Sequence, residues 1–279
     1  MSNKLQDDYK TPISNEEMIR VAKQQYEQQK VSEYKFPTEV IELPSNGLLY
    51  PSDNPLSSGK VEMKYMTAKE EDILTSENLI KKGLVIDKLL NSLIVTPGIT
   101  TDDLLIGDKN AVMVAARIIA YGGEYKVDVT HPETGDKYPY TFDLTECKFK
   151  EPKKDVDYST NEFDMDLPVT KTNIKFKLLT GKDEADINAE LASLKKIGKQ
   201  AEVTTRLKRL IVSVNGEDDK KIINTFAENM LSKESLLLRD EVARINPDID
   251  LKQEIELEGE TTVVDIPMTV EFFWPKSER

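Results

Sequence analysis

Two stretches of the chain repeat the same order of apolar patterns. In Val61–Met66 and in Ile174–Leu179 apolar residues occupy alternate positions, which is the period of a half-buried β-strand. Farther along, apolar residues recur three and four positions apart, which is the period of an amphipathic helix. These helical stripes are Ile86, Leu89, Leu90, Leu93 and Ile94 in the first stretch, and Val203, Leu207, Leu210, Ile211 and Val214 in the second.

A helix-start signal joins strand to helix in both stretches. Thr67 precedes Glu70 by three residues, and Thr180 precedes Asp183 by the same spacing. A threonine with an acid three residues later can form a capping box, in which each side chain pairs with a backbone N–H of the other residue. Both strands are therefore predicted to lead directly into helices.

Each stretch then continues with further helices and closes with a predicted β-hairpin. The helices are predicted at Asp108–Tyr121 in the first stretch, and near Ile222–Met230 and at Ser235–Ile245 in the second. The hairpins pair Tyr125–Thr130 with Tyr138–Leu144, and Lys252–Leu257 with Val263–Trp274.

The repeated order predicts an α+β protein made of two tandem copies of a strand–helices–β-hairpin unit, an internal duplication. The first unit is predicted at residues 41–147 and the second at 167–279. The charged segment 148–166 lacks apolar periodicity and is predicted to be an exposed linker. Residues 1–40 are predicted to form an extended, partly helical N-terminal arm.

Candidate partner-binding residues lie in three places. In the arm, Asn15–Gln29 has a narrow helical stripe that includes Met18 and Tyr26, which indicates either a weakly docked solvated helix or an arm that orders on assembly. The segment Val40–Pro51 predicts a strand and then a Pro-Ser-Asn-Gly turn. The candidates beyond the arm are Leu48, Leu49 and Tyr50 in that segment, and Phe272, Phe273 and Trp274 in the final strand. Two interpretations of that strand are open: at least one aromatic side chain is exposed as an interaction surface, or the strand is buried on both faces.

Composition limits the class of protein. The net charge of −13 is unsuited to binding nucleic acid, because phosphate contacts need clustered Lys and Arg. No apolar run is long enough to cross a membrane, and the first ten residues lack the apolar core of a secretory signal, so we expect neither. A single cysteine permits no intrachain disulfide, which suggests synthesis in a reducing cytoplasm.

A search for catalytic and metal-binding residues predicts none of either kind. The one histidine, His131, falls at a predicted hairpin turn, and Cys147 would need that histidine as its base. The acids Glu70–Asp72 and Asp183–Glu184 suit helix starts better than a metal site. Asp108 is predicted to cap the helix that it opens. No cofactor-binding motif is present, and we expect a protein that is not an enzyme.

Several motifs in order resemble those of baseplate hub proteins of T4-like tailed phages. They are Glu42-Leu43-Pro44-Ser45-Asn46-Gly47-Leu48-Leu49-Tyr50-Pro51, Met66-Thr67-Ala68-Lys69-Glu70-Glu71-Asp72-Ile73-Leu74, Leu104-Leu105-Ile106-Gly107-Asp108-Lys109-Asn110-Ala111, Ala116-Arg117-Ile118 and Tyr121-Gly122. The resemblance extends over about Val40 to Pro275. It implies a role in building the virion and no known enzymatic activity.

The resemblance implies a virion location in the tail baseplate. The partners would be other tail and baseplate proteins, including the tape-measure protein around which a hub assembles, and the chain would form a homo-oligomer or ring. Two alternatives remain open. One is a transient tail-assembly chaperone that is absent from the mature virion, and the other is a hydrolase that uses Cys147.

Overall fold

The computed structural model describes residues 36–130, 134–257, 259–268 and 270–273. The chain divides into two units, Met1–Pro37 and Thr38–Arg279, and all helices and strands given below belong to the second. Helices and short antiparallel sheets are interspersed along it, so the expected α+β class is confirmed.

The first half begins with two paired strands and continues with helices. β1 (Thr38–Glu42) pairs antiparallel with β2 (Lys60–Lys64), and a 3-10 helix, Pro55–Ser58, lies between them. The helices are α1 (Ala68–Leu74), α2 (Glu77–Lys81), α3 (Val85–Leu93) and α4 (Ile106–Tyr121). The hairpin of β3 (Glu124–Thr130) and β4 (Lys137–Asp143) follows, and then a 3-10 helix, Leu144–Glu146.

The second half has a similar order of elements. Its strands are β5 (Phe149–Lys150), β6 (Phe163–Asp166), β7 (Asn173–Phe176), β8 (Ile211–Val214) and β9 (Asp248–Ile249). Its helices are α5 (Gly181–Lys196), α6 (Glu202–Leu210), α7 (Lys220–Asn229) and α8 (Ser232–Ile245). The hairpin of β10 (Lys252–Leu257) and β11 (Glu260–Asp265) and a 3-10 helix, Val270–Phe273, complete it.

Both predicted capping boxes are present, and each includes a lysine from the preceding strand. Glu70 accepts from the Thr67 N–H at 3.0 Å and from Lys64 Nζ at 2.9 Å. In the second half Asp183 accepts from the Thr180 N–H at 3.0 Å, and Lys177 Nζ donates to it at 2.8 Å. The two junctions therefore use the same lysine–threonine–acid spacing, although the internal duplication as a whole stays a prediction.

The sequence pattern placed three segments in the wrong element. Ile211 and Val214 belong to β8 and not to the preceding helix, because α6 ends at Leu210 and the chain then pairs with β7. The final strand ends at Asp265, and Phe272 and Phe273 lie in a 3-10 helix. The segment 148–166 is not uniformly exposed: β5 pairs with β9, β6 pairs with β7, and Tyr158 and Phe163 are buried.

Two apolar clusters form the core, and each draws residues from both halves. The first centres on α3, α4 and the β3–β4 hairpin, and Ile255, Val264, Phe272 and Phe273 from the end of the chain complete it. The second centres on β6, β7 and α6, and Leu49 and Leu105 from the first half enter it. The unit boundaries predicted at residues 41–147, 148–166 and 167–279 stay predictions, while the clusters show that the halves are packed together.

Backbone hydrogen bonds also join the halves directly. The N–H of Ile106 donates to the carbonyl of Leu179 at 3.0 Å, and the N–H of Gly181 donates to the carbonyl of Leu104 at 2.8 Å. A Cβ atom on Gly181 would lie only 1.9 Å from the carbonyl oxygen of Thr101, so no larger residue fits this contact. The start of α5 is thereby held against the segment that leads into α4.

Candidate functional site

The segment Pro44–Pro51, which we call the entry loop, is held by one buried carboxylate. Asp108 on the first turn of α4 is fully buried. It accepts hydrogen bonds from the Ser45 N–H at 3.0 Å, from Ser45 Oγ at 2.7 Å and from the Tyr50 hydroxyl at 2.6 Å. The Tyr50 hydroxyl also accepts from the Leu105 N–H at 2.8 Å. Both ends of the loop are thus fastened to the start of α4.

Asp108 does not cap α4, contrary to the prediction. The N-cap position belongs to Leu105, which makes no side-chain capping bond, and Asp108 points toward the entry loop. Burial raises the pKa of Asp108 despite its three donors, and burial beside Asp108 raises the pKa of Tyr50. Tyr50 therefore stays a neutral donor, and the carboxylate has a structural role in holding the loop.

The turn in the entry loop needs its Asn-Gly pair. Asn46 and Gly47 have φ angles of 52° and 78°, in the left-handed region. A Cβ atom on Gly47 would also lie 2.4 Å from the carbonyl oxygen of Ser57. The turn sends consecutive leucines in opposite directions: Leu48 is 52% exposed, whereas Leu49 is buried in the second core cluster. The result is one exposed apolar side chain on a well-supported loop.

The structure distributes the predicted partner-binding residues over different environments. Met18, Tyr26 and Trp274 lie outside the described residues. Phe272 and Phe273 are fully buried, and their rings meet edge to face at 5.3 Å. These two residues therefore agree with the interpretation in which the aromatic side chains are buried, and not with the one in which they are exposed. The partner-binding role of the predicted set stays a prediction.

Of the two residues considered for a catalytic pair, the structure describes Cys147 alone. His131 lies outside the described residues. Cys147 is half-buried, and burial, with Asp250 and Asp143 nearby, raises the pKa of its thiol. A raised thiol pKa lowers the thiolate fraction and the reactivity at neutral pH. Among the described residues, no group of three or more His, Cys, Asp or Glu side chains is placed to hold a metal ion.

A second surface feature is an apolar groove of about 350 Å³ between β1 and α4, which we call the β1 groove. Val40 and Phe149 are 59% and 39% exposed at its edges. The pattern analysis did not predict this site, whose lining includes the half-buried residues Ala115 and Ile119 of α4. The sequence did contain a signal for this site: α4 is apolar on almost every side. A helix of this kind is buried all round, either by its own protein or by a partner.

The comparisons with known proteins agree with the motif resemblance. Residues 38–164 match the model of a family described as T4 bacteriophage base plate protein. The match confirms the resemblance to T4-like baseplate proteins over these residues, and it supports a structural or assembly role in a phage baseplate and a location in the virion tail. No curated protein and no solved structure matches the chain. In the part of the chain that the structure describes, no helix is long and apolar enough to cross a membrane.

Proposed function

We propose, with the family match of residues 38–164 as the premise, that this chain is a structural or assembly protein of a phage tail baseplate hub. It acts through contacts with other tail and baseplate proteins and performs no catalysis. The single observation that carries the proposal is that match, which includes the entry loop, its anchor Asp108 and both walls of the β1 groove.

The entry loop is the first contact that we assign to a neighbouring protein. An apolar side chain on a loop fastened by several hydrogen bonds loses little conformational freedom when a partner covers it. Leu48 has this character, because its neighbours Ser45 and Tyr50 are bonded to Asp108. An exposed leucine at an interface centre contributes most when the partner excludes water around it.

The entry-loop contact is tested by Leu48→Asp in phage carrying the full chain. Val169→Asp is the matched control, because Val169 is 54% exposed and lies outside the family match. We expect Leu48→Asp to reduce the chain in purified particles at least tenfold, and Val169→Asp to leave it unchanged. Equal incorporation of both variants would show that Leu48 makes no assembly contact.

Mass spectrometry of wild-type particles separates a permanent hub subunit from a transient assembly chaperone. A hub subunit is present at fixed stoichiometry in every particle, whereas a chaperone is found on assembly intermediates and is lost from mature particles. A chain absent from both would overturn the proposed function.

Residues 1–35 are the second proposed contact, as an arm that joins neighbouring subunits in a ring. Deletion of 1–35 removes none of the described helices or strands, because β1 begins at Thr38. We expect the truncated chain to keep a folded body with an unchanged thermal midpoint but to assemble poorly. Normal assembly, or loss of the folded signal, would contradict the arm proposal.

A further inference from the structure

The β1 groove runs along one edge of strand β1. Four consecutive residues, Glu39–Glu42, line it, although side chains of a strand alternate between opposite faces. Only the edge of a strand is shared by residues from both faces. The groove therefore lies beside the backbone of β1, and one end of this edge is marked by the exposed side chain of Val40.

The backbone of Val40 points into this groove. Val40 is opposite Glu62 in the β1–β2 ladder, but the Glu62 N–H donates to Thr96 Oγ1 at 2.8 Å and its carbonyl accepts from the Val95 N–H at 2.9 Å. In an antiparallel pair, opposed residues alternate between bonded and non-bonded positions. Val40 and Glu62 are thus a non-bonded pair, and the N–H and C=O of Val40 face away from β2.

Helix α4 supplies the opposite wall of the groove. Its lining residues include Val114, Ala115, Ile118 and Ile119, and the lining is completed by Leu144, Phe149 and Ile249. In the described part of the chain β1 pairs with β2 alone, so its outer edge has no strand partner there. A strand edge beside an apolar helix face offers backbone bonds and side-chain pockets to one extended segment.

The charges around the groove determine which segment fits. Glu39 and Glu42 lie on the edge strand, and Asp143 and Asp250 are close enough to Cys147 in the groove to raise its pKa. Two lysines offset part of this charge: Lys60 lies 3.7 Å from Glu42, and Lys150 is close enough to Asp250 for the two charges to interact. The four acidic groups still outnumber these two cations. Acidic residues on an edge repel a second copy of the same edge, and they attract a segment with basic flanks.

We infer that the β1 groove binds an extended apolar segment, flanked by Lys or Arg, from another protein of the tail, and that this segment adds to β1 as a further strand. The inference rests on the proposed function for the source of the segment. The backbone of Val40 bonds the added strand, its alternate side chains enter the groove along α4, and its basic flanks pair with Glu39 and Glu42.

The test uses a synthetic nine-residue peptide, Lys-Lys-Val-Thr-Val-Thr-Val-Lys-Lys, and the full chain. A second peptide replaces the four lysines with glutamates. We expect saturable binding of the lysine peptide by fluorescence anisotropy, binding at least tenfold weaker for the glutamate peptide, and slower amide exchange at Val40 and Glu42 when the lysine peptide is bound. Higher salt should weaken the lysine peptide alone, because surface charge pairs are screened.

Two variants test the geometry without relying on charge. Val40→Pro removes the backbone N–H that faces the groove, and it leaves the hydrogen bonds between β1 and β2 intact. Ala115→Arg places a large side chain in the groove from α4. Each should weaken the lysine peptide at least tenfold. The controls are Val40→Thr, which keeps the N–H, and Ala120→Arg, which is also on α4 but does not line the groove. Both should stay within about twofold of the wild type.

The inference is overturned if neither peptide binds, if both bind equally, or if Val40→Pro and Ala115→Arg bind like their controls. It is also overturned if the wild type self-associates in sedimentation and Ala115→Arg abolishes this, since the occupant would then be a second copy. In phage, equal incorporation of the wild-type chain and the Ala115→Arg variant into particles would refute the inference about the groove but not the proposed function. Absence of the wild type from particles and assembly intermediates would remove the proposed function, whatever the peptides do.

Discussion

Substitution of Tyr50 by phenylalanine should destabilise the fold far more than loss of one hydroxyl on the surface. The Tyr50 hydroxyl donates to Asp108 at 2.6 Å and accepts from the Leu105 N–H at 2.8 Å. Phenylalanine keeps the ring, which packs against both core clusters. The substitution therefore isolates the polar contribution of one oxygen atom.

The expected magnitude follows from the two bonds that are lost. A hydrogen bond to a charged group contributes about 1.5–3 kcal/mol, and a buried donor left without a partner adds about 1–3 kcal/mol. Asp108 is fully buried and keeps its two bonds from Ser45, so its charge stays partly compensated. We expect Tyr50→Phe to lower the free energy of unfolding by about 3 kcal/mol. For a chain of this size that corresponds to a fall in the thermal midpoint of about 6–12 °C.

Urea unfolding followed by circular dichroism measures this difference, with Tyr65→Phe as the matched control. The Tyr65 hydroxyl also donates to a carboxylate, Glu39, at 3.0 Å, but this pair is exposed to water. Water can replace the lost bond there, so Tyr65→Phe should not change the unfolding midpoint. The contrast between two tyrosine–carboxylate pairs tests burial and leaves the chemistry of the pair constant.

Equal midpoints for Tyr50→Phe and Tyr65→Phe would refute the reasoning, because burial would then add nothing. A double-mutant cycle with Asp108→Asn gives a second check. If Tyr50 acts through Asp108, the two substitutions together should destabilise less than the sum of each alone. Additive effects would assign the loss to the Leu105 contact only.

Three further predictions concern titration, reactivity and the helix junction. Burial raises the pKa of Asp108 in the folded protein above its unfolded value of about 3.9. The contribution of Asp108 to the free energy of unfolding is therefore greatest at low pH and falls as the pH rises through the raised pKa. Asp108→Asn should remove this fall in urea titrations, whereas Asp143→Asn should not, because Thr145 lowers the pKa of Asp143. Burial raises the pKa of the Cys147 thiol, so a maleimide should label it at least tenfold more slowly than free cysteine at neutral pH; rapid labelling would favour a nucleophilic role. Glu70→Gln should lower unfolding free energy by about 2–3 kcal/mol, since the fully buried Glu70 side chain pairs with Lys64, and equal midpoints for Glu70→Gln and the exposed Glu77→Gln would contradict this.

Local patterns determined most of the elements. The stripe of α3, the capping boxes at Thr67 and Thr180, and the β3–β4 hairpin could all be predicted, because each depends on residues close together in the chain. The α+β class followed from their order. The family resemblance came from motifs whose residues stand in sequence, so it also needed no coordinates.

Tertiary contacts decided what local patterns could not. Ile211 lies in β8, where it pairs with β7, and not in the predicted helix. Phe272 lies outside the predicted strand, and its ring packs in the first core cluster. Asp108 was predicted to cap α4, but it lies within the first turn and accepts hydrogen bonds from the N–H and hydroxyl of Ser45, 63 residues away. The β1 groove depends on the separation between β1 and α4, which are distant in sequence. Periodicity shows which side of an element is apolar, but only packing decides whether the chain itself covers that side or leaves it open for a partner.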